Sequence, residues 1–174
     1  KSDIIVLVLT FALTVIFDLV VAIEIGMILA CLLLLRRMSE ESEVKSWKYI
    51  EDENDPDSIM LRKVPKHVRV YEISGPMFFG AADRIATISV KDFTRCLVIR
   101  MRAVNALDAT AMHSLEELYD KLSKKHIAVV FSHVNEQPMH VMQKAGFVEK
   151  VGSENFCAHI DEALERAAGF DSND

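Results

Sequence analysis

Residues 96–125 read CLVIRMRAVNALDATAMHSLEELYDKLSKK, and the change of hydrophobic period inside them decides the fold. Cys96–Met101 is an apolar run apart from Arg100, the pattern of a central strand covered on both faces. From Asp108 to Lys125 the period changes: Ala111, Leu115, Leu118 and Leu122 fall at helical spacing, with Glu116, Glu117, Lys121 and Lys124 on the outer face. Asp108 stands where this helix should begin, and its carboxylate is expected to accept a bond from an otherwise unpaired first-turn amide. Between strand and helix, Val104–Met112 forms the kind of junction at which open α/β sheets present functional groups. It brings a carboxylate, a hydroxyl and free helix amides to one place.

Working outward, His67–Ile73 places Val68, Val70 and Ile73 among polar neighbours and predicts a half-buried strand that turns at Gly75-Pro76. Ile127–Phe131 predicts a second buried strand. A helix is expected from about Gln137 to Ala145, with Asn135 near its start and Gly146 in the left-handed cap position. Another spans about Cys157 to Ala168 and stops at Gly169. The order β-α-β-α-β-α-α predicts an α/β domain with one mostly central-parallel β-sheet and about four helices. A polar tail, residues 170–174, is expected to be disordered.

The other end of the chain is a different material. Between Ile4 and Leu35 only Thr10, Thr14, Asp18, Glu24 and Gly26 fall outside the apolar set, so 27 of 32 residues are apolar. One helix of that length would run about 48 Å, against roughly 30 Å of bilayer hydrocarbon. A break at Asp18 gives Ile4–Phe17 and Leu19–Leu35, about 21 and 26 Å long, and predicts a short transmembrane helical hairpin over residues 1–37. The run is too long for a secretory leader and ends in Arg36-Arg37 rather than a small-residue cleavage site. Carboxylates at membrane depth need a reason. Asp18 is expected at the hairpin tip, capping the second helix. Glu24 has two readings: an ion-pathway or proton-coupling residue, or a carboxylate paired with a helix outside this chain. Arg36, Arg37, Lys45 and Lys48 mark the cytoplasmic side, so the chain beyond Leu35 is expected in the cytosol. An acidic linker, residues 38–59, with the turn Asn54-Asp55-Pro56-Asp57, leads to the α/β domain at 60–169. The opening Lys-Ser-Asp, which lacks Met, suggests a piece of a longer protein.

Several function classes are excluded. Twenty Lys and Arg against 26 Asp and Glu give a net charge of −6, the wrong sign for a nucleic-acid partner. Cys31, Cys96 and Cys157 form no C-x-x-C pair and are expected as buried free thiols in a reducing compartment. No phosphate-cradling glycine loop and no G-x-S-x-G elbow occurs, and the six histidines never take ligand spacing. No cofactor, metal ligand or catalytic residue is therefore expected, and the chain is not expected to be an enzyme. Met142–Val148 is similar to the closing segment of acetyltransferases, but the upstream loop those enzymes need for the cofactor pyrophosphate is missing.

The arrangement as a whole resembles a known one. Residues 60–169 resemble a STAS domain, the fold shared by bacterial anti-sigma-factor antagonists and the cytosolic tails of SulP-type anion transporters. The resemblance is carried by Ile73–Ala82, similar to the G-P-L-F-F-A stretch of the transporters, and by Leu107–Ala111, similar to their D-A-T-G or D-x-S/T segment. Phe17–Gly26 followed by Leu33–Met38 is similar to the last two membrane helices of a SulP permease. The resemblance implies the C-terminal part of a secondary anion transporter in the cell (inner) membrane, with sulfate, a related inorganic anion or a dicarboxylate as substrate, bound outside this chain. It also implies a homodimer, and a protein or nucleotide ligand on a STAS domain that regulates transport or mediates assembly. The alternative it leaves is a membrane-anchored module of antagonist type. Antagonists are switched by phosphorylation of a serine directly after the aspartate; here that position is Ala109. Thr110, one place later, is either a substitute phosphosite or an ordinary first-turn residue. Asp108, Ala109 and Thr110 are thus the regulatory candidates, and Asp18 and Glu24 the membrane carboxylates.

Overall fold

The computed structural model describes residues 2–16, 19–40, 43–46, 62–78 and 82–170, in two compact units, residues 1–41 and 42–174. The first unit is a pair of helices, α1 (Ser2–Ile16) and α2 (Leu19–Glu40). They pack closely at Gly26, where an added Cβ would come within 2.9 Å of Thr10 Oγ1. Small residues at such a contact let two helices approach without a hydrophobic driving force. The Thr14 hydroxyl is satisfied locally, donating to the Thr10 carbonyl at 2.7 Å. Fifteen of the sixteen exposed large apolar side chains among the described residues lie on α1 and α2. By length and composition Leu19–Arg37 is long and apolar enough to cross a membrane, whereas α1, at 15 residues, is not. The second helix runs past the expected end at Leu35 to Glu40, because Arg36, Arg37, Met38 and Glu40 are good helix formers and no Gly or Pro interrupts them. Asp18 lies outside the described residues.

The second unit carries a five-stranded sheet in the order β1-β2-β3-β4-β5. Its strands are β1 (Glu43–Ser46), β2 (Val68–Ser74), β3 (Cys96–Ala103), β4 (Ala128–Ser132) and β5 (Phe156–Cys157). The last four are parallel, and β1 runs antiparallel along the free edge of β2, with Glu43 opposite Ser74. The helices are α3 (Ala82–Ala86), α4 (Ala109–Ser123), α5 (Glu136–Lys144), α6 (Phe147–Val151) and α7 (Ile160–Ala168).

Because each parallel crossover steps to the next strand in one direction, a constant hand places all the connecting helices on one face. The core agrees. Leu97, Ile99 and Met101 of β3 pack with α3, α4, α5 and α6 through Ile85, Leu115, Leu118, Met142 and Phe147. The alternate residues Cys96 and Val98 face α7, against Ile160, Ala163, Leu164 and Ala167. The strand thus alternates between two buried faces, as its apolar run requires. Arg100 breaks that run: it is 1% exposed and donates from Nη1 to Glu72 Oε2 at 3.2 Å on the neighbouring strand.

Several boundaries differ from expectation for identifiable reasons. β1 lies in the stretch read as a connector. Its four residues, Glu-Val-Lys-Ser, carry one apolar side chain, and only backbone pairing with β2 and the packing of Val44 on the core make it a strand. Gly146 takes the left-handed conformation, φ 70°, as expected, but the chain restarts at once as α6 because Phe147 and Val151 are buried. The final helix begins at Ile160 rather than Cys157, since Phe156 and Cys157 pair with Phe131 and Ser132. Cys96 is buried and Cys157 half-buried, but Cys31 is exposed on α2. Among the described residues all three thiols are free, and burial pushes the Cys96 thiol up to about 12. The rest of the stretch read as a linker, residues 47–59, and the tail 171–174 lie outside the described residues.

Candidate functional site

The junction between β3 and α4 is built by backbone bonds from both flanks. On one flank Gly75, at φ 85°, donates to the Ala103 carbonyl (3.1 Å), Met77 donates to Ala106 (2.8 Å), and Asp108 donates to Met77 (3.0 Å). Met77 and Leu107 pair as a parallel bridge, and both are buried. The turn at Gly75-Pro76 therefore acts as a splint along residues 103–108.

On the other flank two side chains at the start of α5, its N-cap residue Asn135 and Gln137 of its first turn, close the loop. Asn135 Nδ2 donates to the carbonyls of Arg102 (3.0 Å) and Val104 (2.7 Å). The Gln137 amide pairs with both backbone groups of Leu107: Oε1 accepts from its N–H at 2.8 Å, and Nε2 donates to its C=O at 3.2 Å. These two residues were not foreseen as part of the junction. Asn135 is expected from the sequence only near the start of a helix, and its side chain makes no cap bond there. Nothing in the sequence marks Gln137 for this role, since an amide matched to one peptide group has no sequence pattern.

Asp108 caps α4, accepting from the Ala111 amide at 2.8 Å. This leaves the amides of Ala109 and Thr110 as first-turn donors with no partner inside the helix. Asp108 and Thr110 are half-buried and Ala109 is exposed, so the three regulatory candidates meet at one accessible helix end. Beside them lies a shallow groove of about 790 Å³ lined by Asn105, Asn135, Glu136, Gln137, Met139, His140 and Gln143. A sheet ordered without reversal has no point at which successive crossovers diverge, and among the described residues the strand ends offer this open groove. The site can dock a surface or a small polar ligand. Among the described residues no group of three His, Cys, Asp or Glu could hold a metal ion.

Glu24 belongs to the first unit, where it is exposed on α2, and no described basic side chain pairs with it. Elsewhere, Arg62 forms a two-pronged pair with Asp161 at the start of α7, through Nε to Oδ1 and Nη2 to Oδ2, the latter at 2.7 Å. That guanidinium holds the Asp161 carboxyl below the usual carboxylate range.

With this geometry, residues 59–163 match the STAS domain. A putative sulfate transporter of Bacillus subtilis is 29% identical over 93% of this chain and 30% of its own length. A sulfate transporter family protein from Wolinella succinogenes, known as a crystal structure, is 36% identical at a TM-score of 0.62, covering 67% of this chain and 98% of that one. The murine Solute Carrier 26 family member A9 anion transporter, in its inward-facing state, shares the fold over 97% of this chain and 29% of its own, with a TM-score of 0.73 at 15% identity. The chain spans about 30% of the length of the curated relatives it matches.

Proposed function

The chain belongs to the STAS domain family, and from that premise we propose that it is the cytosolic tail and last two membrane helices of a SulP-type anion transporter. One observation carries this reading: the alignment to the Bacillus subtilis relative takes in 93% of the chain, more than residues 42–174 alone supply. The curated relatives are transporters rather than enzymes. In this reading α1 and α2 close the membrane core of a cell-membrane protein, and their exposed apolar side chains meet lipid and neighbouring helices. The second unit lies in the cytosol and regulates transport or holds a homodimer together. Substrate, whether sulfate, another inorganic anion or a dicarboxylate, binds outside this chain. Glu24 serves ion coupling or pairs with a helix outside this chain, and the role proposed for Asp18 is to cap the second helix at the hairpin tip.

The Asp108-Ala109-Thr110 corner acts as the regulatory surface. Two unpaired amides at a helix start favour an acidic or phosphorylated ligand group. Ala109 has no hydroxyl, so regulation there is by docking, with Thr110 carrying the one hydroxyl of the three.

The test uses the intact gene product. It is expected to stay in the membrane pellet after alkaline carbonate, and deletion of its gene is expected to remove uptake of labelled sulfate, bicarbonate or a dicarboxylate. Release into the carbonate supernatant would overturn the membrane assignment. A deletion that changes uptake of none of these anions would overturn the transport assignment.

A further inference from the structure

The end of the sheet opposite the β3–α4 junction has its own chemistry. β2, β3 and β4 are parallel, so the segments leading into them, residues 62–67, 91–95 and 124–127, gather at one end. They are stitched together: the Arg95 amide donates to His67 at 2.8 Å and the Ala128 amide to Arg95 at 2.9 Å. These fifteen residues hold seven Lys or Arg and one Asp, in a chain whose net charge is −6. Arg62 is paired with Asp161. The other six, Lys63, Lys66, Lys91, Arg95, Lys124 and Lys125, are exposed, and none forms an ion pair among the described residues.

At the corner of the tight turn Lys91–Thr94 sits Phe93, 52% exposed. It is the one exposed large apolar side chain among the described residues of the second unit. Its ring is flanked by two cations, Arg69 Cζ at 5.4 Å and Lys91 Nζ at 5.7 Å from the centroid. Six unpaired like charges repel one another, and an exposed aromatic ring gains nothing from water. Both are met by a surface that supplies carboxylates and a recess for the ring.

We propose that this basic, Phe93-centred end of the sheet is a docking surface for an acidic protein segment. Phe93 is the apolar anchor, and the surrounding Lys and Arg form a charged rim that aligns the partner and speeds its approach. One feature disfavours a lipid surface. The ring is held against two cations, which would have to accompany it into the acyl region, where charge is costly.

The test replaces Phe93→p-benzoylphenylalanine in the intact gene product, in its own cells, and maps the photo-crosslinked species. The expected adduct is to a Glu- and Asp-rich segment of another protein. Combined Lys91→Glu and Arg95→Glu, both exposed and therefore compatible with folding, should remove it. The same photoprobe at His113, exposed on α4, should not capture that partner. The mapped segment, made as a peptide, should bind the full chain in neutral phosphatidylcholine nanodiscs at least about tenfold more weakly after the charge reversal. An adduct to lipid, to a second copy of this chain or to a non-acidic segment would overturn the proposal. So would the absence of an adduct, or one that survives the charge reversal.

Discussion

Asp108→Ala removes the acceptor of the Ala111 amide and is expected to cost about 1 kcal/mol, read as a lower urea midpoint at unchanged slope. Asp108→Asn, which keeps a side-chain oxygen, should recover most of that loss. Gln137→Leu should cost more, about 1–3 kcal/mol, because Leu107 is 2% exposed and both its peptide groups would be left without a partner. The Arg62–Asp161 pair gives a pH signature. The Asp161 carboxyl is depressed in the folded state, so its stabilisation is full above the unfolded carboxylate range and fades as pH falls through the folded value. The difference in thermal midpoint between wild type and Asp161→Asn should therefore be present at pH 7 and shrink on acidification below about pH 4. Since Asp161 is mostly exposed, that difference should be small and should shrink further in high salt.

Among the elements, α7 depends on small side chains. It packs on one face of the sheet through Ile160, Ala163, Leu164 and Ala167, and Ala163 and Ala167 are fully buried against strands that present Val70, Cys96, Val98 and Val130. Ala163→Leu has no space to enter and is expected to destabilise by about 1–3 kcal/mol, measured by chemical unfolding. Ala→Leu at the exposed position 158, outside that face, should be close to neutral. Elements with a long, regular pattern were legible in the sequence. β3 and α4 follow from apolar run and helical period, and Asp108 is the cap that its position predicts. Elements made by pairing were not. β1 and the two-residue β5 have too few side chains to carry a period, and exist because a neighbouring strand offers them a ladder.

On the scale of the whole molecule, every apolar residue buried among the described residues except Ala22 lies in the second unit, which therefore holds its own core. A chain of residues 42–174 is expected to keep a single cooperative melting transition, with a midpoint within a few degrees of the same unit in the full chain. A broad, non-cooperative melt would contradict this. The sequence by itself determined that the chain joins an apolar helical segment to an α/β domain, and where that domain's central strand gives way to its capped helix. Those features are local, because hydrophobic period and capping chemistry act over a few residues. Tertiary structure alone decided which residues hold the junction. Asn135 and Gln137 reach it only because β4 lies beside β3, about 30 residues away in sequence. It also decided that the basic segments before β2, β3 and β4 share one end. Parallel strands bring together what precedes each of them, and no local pattern records which strands will be neighbours.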